Sequence, residues 1–274
     1  MFKSVRKPQT GIGTALMMAE LIYHSVVRSI RKTHNNALIA IFTNVLQAII
    51  FVMAFYLMFS ILGMRGVAIR GDFLIYIMTG IFLYMTHTKT LSAVMGSEGP
   101  ASPMMQHAPM NTIIAIASAA LGALYIQVLS MVLILFVYHV AFTPVVIDQP
   151  IPAFGMMLLA WFTGLALGLV LLAMKPWAPG FVSVFATIYQ RANMIASGKM
   201  FVANTLPGFM LAMFDWNPLF HFIDQSRGFA FINYNPHYSS WEYGFWVGVV
   251  LLMLGLMGEF YTRRHASLSW SARR

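Results

Sequence analysis

The chain has 274 residues, of which 59% are hydrophobic and only 9% are charged, with a net charge of +9. Because about a quarter of the residues of a soluble domain carry a charge, this composition argues against a soluble enzyme or a nucleic-acid-binding domain and predicts an all-α integral membrane protein. No cysteine occurs in the sequence, which excludes disulfide bonds, thiol catalysis and cysteine metal sites.

The first predicted element is an amphipathic helix at residues 14–32. Glu20, His24, Arg28 and Lys32 recur every four residues and therefore share one face of a helix. Apolar residues supply the opposite face. This pattern predicts a helix that lies in the membrane interface with its basic face toward the lipid headgroups. The alternative is a solvated helix that leads into the first membrane span.

Six membrane spans follow from the distribution of apolar residues, since a crossing helix needs about 20 of them. Spans one to five lie within residues 37–200, and a basic tail at 261–274 follows span six. Prolines collect between the spans, as expected for a residue that interrupts helices. The predicted spans are 37–62, 73–95, a segment within 113–142, 153–174, 179–201 and 243–260. We expect a single transmembrane domain over residues 1–274.

Lysine and arginine concentrate at the two ends of the chain. Basic residues near membrane spans stay on the cytoplasmic side, and an even number of spans places both termini on that side. The sequence therefore predicts a multi-pass protein of the cell inner membrane with both termini in the cytoplasm. The loops at 63–72 and 143–152 then face outward, although Arg65 and Arg70 lie in the first of them.

A loop at residues 96–111 connects spans two and three on the predicted cytoplasmic side. It contains three methionines with no membrane to bury them, and flexible thioethers suit an adaptable contact with another protein. We expect this loop to bind a partner; an ordinary connector is the alternative.

The segment 202–238, between spans five and six, is too long for a turn and too apolar for a solvated loop. Pro207, the pair Asn217 and Pro218, and Pro236 divide it into two pieces at 208–214 and 219–232. Each piece is too short to cross a membrane, which predicts a re-entrant helical hairpin. Such backbone is tolerated at membrane depth only where protein or a water-filled cavity shields it, so this hairpin is a candidate outer gate.

Polar side chains within the spans are candidates for a substrate path, since such groups are costly in a membrane. Arg191 in span five either faces a polar path or pairs with Asp215 or Asp224. Asn44 and Gln47 lie three residues apart on one face of span one, where they either line the same path or bond across helices.

Aromatic residues make up 14% of the chain, and their rings could stack on the C–H groups of sugars along a glycan track. Tyr84 and Tyr189 are the candidates of this kind for the path; contacts with lipid or other helices are the alternative. Two Gly-x-x-x-Gly pairs favour close helix contacts, and a homodimer is expected because six helices rarely enclose a wide channel. These pairs are Gly164 with Gly168 and Gly244 with Gly248.

Motifs for catalysis are absent from the sequence. The pattern G-x-x-x-x-G-K-[ST] of phosphate-binding loops has no match, so we expect that the chain cannot hydrolyse ATP alone. The eight histidines lack zinc spacing, and no G-x-S-x-G elbow occurs. We therefore expect no catalytic residue, cofactor or metal in this chain.

The order of these features resembles the permease subunits of ABC-2 type exporters. Residues 197–207 read S-G-K-M-F-V-A-N-T-L-P and residues 216–227 read W-N-P-L-F-H-F-I-D-Q-S-R. These two motifs are most similar to those of the capsular polysaccharide exporters of Gram-negative bacteria. The layout covers nearly the whole chain, and the two motifs cover about thirty residues of it.

The resemblance implies a two-fold permease that works with two copies of a separate cytoplasmic ATPase, which binds ATP and Mg²⁺. The cargo would be a lipid-linked capsular polysaccharide, with a periplasmic polysaccharide co-polymerase or an outer-membrane export component as a further partner. The ATPase-coupling loop would comprise Glu98, Pro103, Met104, Met105, His107 and Pro109. The outer gate would comprise Pro207, Asn217, Pro218, Asp224 and Arg227.

Two alternative functions stay open at this point. The first is an ABC-2 permease for a lipid, a drug or another small molecule. The second is an integral membrane transferase that uses His221 with Asp224.

Overall fold

The computed structural model describes residues 20–27, 37–61, 63, 69, 71–97, 99 and 112–265. This part of the chain is helical and contains no strand. A helical segment at 20–27 precedes the longer helices, and a short 3₁₀ helix occurs at Ala203–Thr205. The α-helices that follow the N-terminal segment are α1 (Ala37–Ile61), α2 (Phe73–Met95), α3 (Thr112–Ala141), α4 (Pro150–Met174), α5 (Pro179–Ala196), α6 (Gly208–Phe214), α7 (Pro218–Ala230) and α8 (Trp241–His265).

Four of these helices are long and apolar enough to cross a membrane: most of α1 (Ile39–Ile61), and the whole of α3, α4 and α8. An all-helical membrane protein is thereby confirmed. Helices α2 and α5 occur where spans two and five are expected, but polar residues such as Lys89 and Arg191 lower their mean hydropathy. Six membrane crossings therefore stay a prediction.

The predicted helix boundaries agree closely with the structure, except at the ends of spans five and six: α8 continues to His265, five residues beyond the predicted end at 260 and into the predicted basic tail. Helix α5 ends at Ala196 rather than near residue 201. Gly198 follows with a φ of +74°, a left-handed conformation that glycine adopts without steric cost and that commonly terminates helices. Residues 197–202 therefore form a turn.

Helix α2 lies at the centre of the structure and buries 16 of its 23 residues. It packs closely on α4 at the first glycine pair. A Cβ atom at Gly164 would lie 2.5 Å from the carbonyl oxygen of His87, and one at Gly168 would lie 2.9 Å from that of Leu91. The second pair, Gly244 and Gly248 on α8, meets side chains of α7 and α4 instead. The close helix contacts predicted for both pairs are confirmed.

Asp72 connects the start of α2 to the end of α3. One carboxylate oxygen accepts from the backbone N–H of Leu74 at 2.9 Å and caps α2, as is typical of aspartate at this position. The other accepts from the hydroxyls of Tyr138 at 2.6 Å and Thr143 at 3.0 Å. These bonds fix the two helix ends beside each other.

The two short helices predicted before the last span are present as α6 and α7. Helix α7 buries 10 of its 13 residues, whereas α6 buries only Phe214. The carbonyl oxygens of Phe229 and Ala230, at the end of α7, accept from the N–H groups of Gln149 and Asp148. The hairpin is thus fixed to the loop between α3 and α4, and its re-entrant position in a membrane stays a prediction.

Several predicted sites lie partly or wholly outside the described residues. In the N-terminal segment, Glu20 and His24 are exposed and lie 3.9 Å apart, while Arg28 and Lys32 are not described. None of the predicted coupling-loop residues is described either; these are Glu98, Pro103, Met104, Met105, His107 and Pro109.

Candidate functional site

Among the long helices, α5 is the one that the other described residues cover least. It buries only Val182, Ala186 and Asn193. Ser183, Thr187 and Arg191 are all exposed, and their four-residue spacing places them on one face. A face of this kind is unusual on a membrane helix, because lipid-facing surfaces are expected to be apolar.

A second face of α5 carries three stacked aromatic rings, at Phe181, Phe185 and Tyr189. The centroids of the first two rings lie 6.0 Å apart with 25° between their planes. Those of the second and third lie 6.3 Å apart with 17° between the planes. Phe181 is 59% exposed and Phe185 is 39% exposed, whereas Tyr189 is half-buried, so two rings of this aromatic ladder are exposed in the described structure.

Hydrogen bonds connect α5 to α2. The Tyr84 hydroxyl donates to the carbonyl oxygen of Gln190 at 3.2 Å, and the Gln190 amide donates to Ser92 Oγ at 3.1 Å. His87 Nε2 lies 3.0 Å from the Tyr189 hydroxyl. The path candidates Tyr84 and Tyr189 therefore both lie at the junction of these two helices.

The structure distinguishes the two interpretations offered for Asn44 and Gln47. Asn44 is buried; its amide nitrogen donates to Ser130 Oγ at 2.9 Å and its oxygen accepts from Gln127 at 3.0 Å. Gln47 is half-buried and its oxygen accepts from Lys89 Nζ at 2.6 Å. Both residues bond across helices, and Asn44 in particular has no free polar atom to offer a substrate.

The ion pair considered for Arg191 is absent. Asp224 is buried and accepts from the hydroxyls of Tyr234 and Ser239, and Asp215 is exposed. Within the described residues, neither carboxylate forms an ion pair with Arg191. The bridge to Asp215 or Asp224 is therefore not formed, and the Arg191 side chain is exposed in the described part of the structure.

Three of the predicted gate residues lie at the starts of the two helices of the α6–α7 hairpin. Pro207 occupies the N-cap position of α6 without a side-chain hydrogen bond, and Asn217 caps α7 by accepting from the Leu219 N–H at 3.1 Å. Pro218 then occupies the first helical position, where its missing N–H costs nothing. The Asn217 amide also donates to Asn193 Oδ1 at 2.7 Å, which joins the hairpin to α5.

Arg227, another predicted gate residue, is only 1% exposed. Its Nη1 donates to the carbonyl oxygens of Gly198 at 2.9 Å and Phe201 at 2.6 Å, and its Nη2 donates to that of Lys199 at 2.8 Å. The guanidinium carbon also lies 4.2 Å from the ring centroid of Tyr76. Arg227 thus holds the turn after α5 against α7 and α2.

Lys199 is a feature that the sequence analysis missed. It is 3% exposed, and its ammonium group lies 3.5 Å from the ring centroid of Tyr84, 5.0 Å from that of Phe55 and 5.4 Å from that of Phe51. Within the described residues the ammonium has no hydrogen-bond partner. The sequence does contain a signal for a buried, unpaired lysine: Lys199 directly follows a glycine in a segment without acidic residues.

His221 and Asp224, the pair considered for transferase chemistry, are not bonded to each other. His221 Nδ1 accepts from the Ser240 N–H at 3.0 Å, so the proton lies on Nε2, which donates to the carbonyl oxygen of Asp215. Burial lowers the pKa of His221, and the nearby Asp215 opposes this effect. Both nitrogens of the ring, like both oxygens of Asp224, are already engaged.

The described ranges contain no group of three His, Asp or Glu side chains that could hold a metal ion. In two comparisons with known proteins, no protein-family model matches the chain and no curated protein sequence matches it.

Proposed function

We propose that this chain is the permease subunit of an ATP-driven exporter that moves a polysaccharide outward across the inner membrane. Two copies of the chain form the path, and two copies of a separate cytoplasmic ATPase supply the energy. Both termini lie in the cytoplasm. The observation that carries this proposal is the exposure of two faces of α5 in the described structure, one with polar residues and the other with the aromatic ladder.

Arg191 is the strongest argument for a second copy and a polar path. It lies twelve residues after Pro179, about 18 Å along the helix at 1.5 Å per residue. If α5 crosses the bilayer, this arginine lies well inside it, where a charged side chain costs about 2.5 kcal/mol or more. Water in a path between two copies removes this cost, whereas lipid does not.

The aromatic ladder favours a sugar as the cargo. Aromatic faces carry partial negative charge and attract the slightly positive C–H groups of sugar rings. Three rings in succession along α5 offer repeated, similar contacts to a repeating polymer. A permease for a drug or a single lipid could also contact such rings, but its cargo would offer no repeating series of sugar rings to match them.

The energy source and the direction of transport rest on the sequence. The chain has no phosphate-binding loop, so a separate ATPase must drive it, and the loop at 96–111 is the proposed contact. The resemblance of residues 197–207 and 216–227 to capsular polysaccharide exporters supports export and a lipid-linked cargo. A transferase is the weaker alternative, because neither His221 nor Asp224 has a free atom for acid–base chemistry.

The test is ATP-dependent transport in inside-out membrane vesicles from the host cell. Vesicles that contain the chain and its ATPase should accumulate the radiolabelled cell-surface glycan when ATP is added. The Arg191→Leu variant should lower the initial rate about tenfold, since loss of one charged contact costs about 1.5–3 kcal/mol. Lys175→Leu changes an exposed cation near the end of α4 and is the matched control.

Accumulation without ATP, or in vesicles that lack the chain, contradicts the proposal. Modification of the glycan by the purified chain alone supports the transferase instead.

A further inference from the structure

The charged residues in helices α1 to α5 are all basic. Lys89 lies in α2 and Arg191 in α5, and Lys199 follows in the turn after α5, whereas no aspartate or glutamate occurs within any of these five helices. Buried charges in proteins are usually paired with an opposite charge. Lys89 donates to Gln47 and Arg191 is exposed, so the deficit of acceptors concerns Lys199, the one cation of the three that is buried.

Lys199 shows this deficit most clearly. The three ring faces around its ammonium supply cation–π attraction, but they supply no hydrogen-bond acceptor. The carbonyl oxygens of the surrounding turn, including that of Lys199 itself, accept from Arg227 instead. The ammonium keeps three N–H donors that no described atom accepts.

One face of α1 leads to this ammonium. Gln47, Phe51 and Phe55 recur every four residues and therefore lie along one face. Lys89 donates to Gln47, and Lys199 lies over the rings of Phe51 and Phe55. Gln47, Phe51 and Lys89 are only half-buried, so this face is accessible at one end and closed at Lys199.

We propose that Lys199, together with Phe51, Phe55 and Tyr84, forms a subsite for an anionic group of the transported glycan, either a phosphate or a carboxylate. The ammonium donates to the anionic oxygens, and the rings contact the adjoining sugar. Lys89 meets the anion first, at the accessible end of the face. This inference rests on the proposed function, and it specifies that the cargo is an acidic or phosphate-linked glycan.

A purely structural role does not require the charge. Methionine has a similar length and would fill the same space, and replacing a buried charge by an apolar residue of similar volume is often neutral or stabilising. The variant Lys199→Met is therefore expected to fold. Lys199→Gln serves as a second neutral variant that keeps a polar end.

The experiment is equilibrium binding to the full chain with its ATPase in lipid nanodiscs. Two pairs of probes separate the two sources of the anion: an oligogalacturonate with its methyl-esterified neutral form, and dodecyl phosphate with neutral dodecanol. Thermal unfolding and ATP turnover verify that each variant is intact. Lys175→Met, which removes an exposed lysine, is the control.

We expect the wild type to bind at least one anionic probe more tightly than its neutral counterpart. Lys199→Met and Lys199→Gln should weaken that binding about tenfold or more, as for loss of a charged hydrogen bond, and Lys175→Met should not. Loss of oligogalacturonate binding identifies a carboxylate, and loss of dodecyl phosphate binding identifies a phosphate.

The subsite is overturned if neither anionic probe binds the wild type, or if both neutral variants bind as tightly as the wild type does. Vesicle transport of the host glycan separates this outcome from failure of the proposed function. ATP-dependent accumulation by the wild type, with no effect of Lys199→Met on binding, removes only the subsite. Absence of accumulation removes the exporter itself.

Discussion

The guanidinium of Arg227 holds the turn after α5 by donating to three of its carbonyl oxygens. Hydrogen bonds from a charged donor are stronger than neutral ones, and here they satisfy backbone groups that neither α5 nor α7 can bond. Lys199, a neighbour in the same turn, is a buried cation without an acceptor. The backbone thus accepts from both terminal nitrogens of Arg227, though not from its Nε, and it accepts nothing from Lys199, which we propose binds an anionic group instead.

Arg227→Met should lower the free energy of unfolding by about 3 kcal/mol or more, because it leaves the carbonyl oxygens of Lys199 and Phe201 without their donor and that of Gly198 with only the Phe201 N–H. Thermal unfolding in detergent measures the change. Arg264→Met, at an exposed position, is the control and should change the free energy by no more than about 0.5 kcal/mol. Equal stability of both variants would show that the turn does not depend on Arg227.

Acidification should destabilise the contact between the α6–α7 hairpin and α8. Burial lowers the pKa of His221 in the folded state, so the unfolded state binds the proton more readily. Stability is then present above the ordinary histidine pKa, about 6.5, and is lost as the pH falls toward the folded value. A proton on Nδ1 would also displace the Ser240 N–H.

Unfolding measured between pH 7 and pH 5 tests this expectation. The wild type should lose stability over this interval, and His221→Gln should lose less because it has no group to titrate there. An identical pH dependence of the two proteins would exclude His221 as the cause.

At the scale of the helices, the pattern of apolar residues predicted most of the helix boundaries. Runs of about 20 apolar residues, separated by prolines, leave few other positions where a helix could begin or end. Span five was predicted five residues too long, since Met200 and Phe201 are apolar and the left-handed Gly198 is not visible as a helix end in composition. The partners of Asn44, Asp224 and Arg227 could not be predicted, because they join segments distant in the sequence.

The uncovered face of α5 should contact a second copy of the chain or line the path beside it. The native chain has no cysteine, so single cysteines report on this directly. Thr187→Cys should form a disulfide-linked dimer in oxidised membranes. Val137→Cys, which is also exposed but lies on α3, is the matched control and should stay monomeric. Dimers at Val137 and none at Thr187 would place the interface on α3.

At the scale of the whole molecule, six crossings require that α2 and α5 span the membrane together with the four more apolar helices. The close contact of α2 with α4 at Gly164 and Gly168 shows how a less apolar helix can be accommodated: its polar side chains face protein rather than lipid. Hydropathy evaluates each helix alone and cannot include this protection.

Single cysteines at exposed ends of the helices test the six-span topology. In intact cells, a membrane-impermeant maleimide should label Val146→Cys, in the loop between α3 and α4. Gly96→Cys and Lys175→Cys should be labelled only after the cells are opened. Labelling of Gly96→Cys in intact cells would mean that α2 does not cross.

Arg191 also exposes this protein to the cell's voltage. On the proposed topology, its charge lies part-way across the bilayer, within the electric field, where a unit charge that traverses 100 mV changes its free energy by about 2.3 kcal/mol. A negative cell interior therefore pulls α5 inward through this side chain. The same field pushes an anion outward, so that the resting potential and the proposed ATPase would act on the proposed acidic cargo in the same direction.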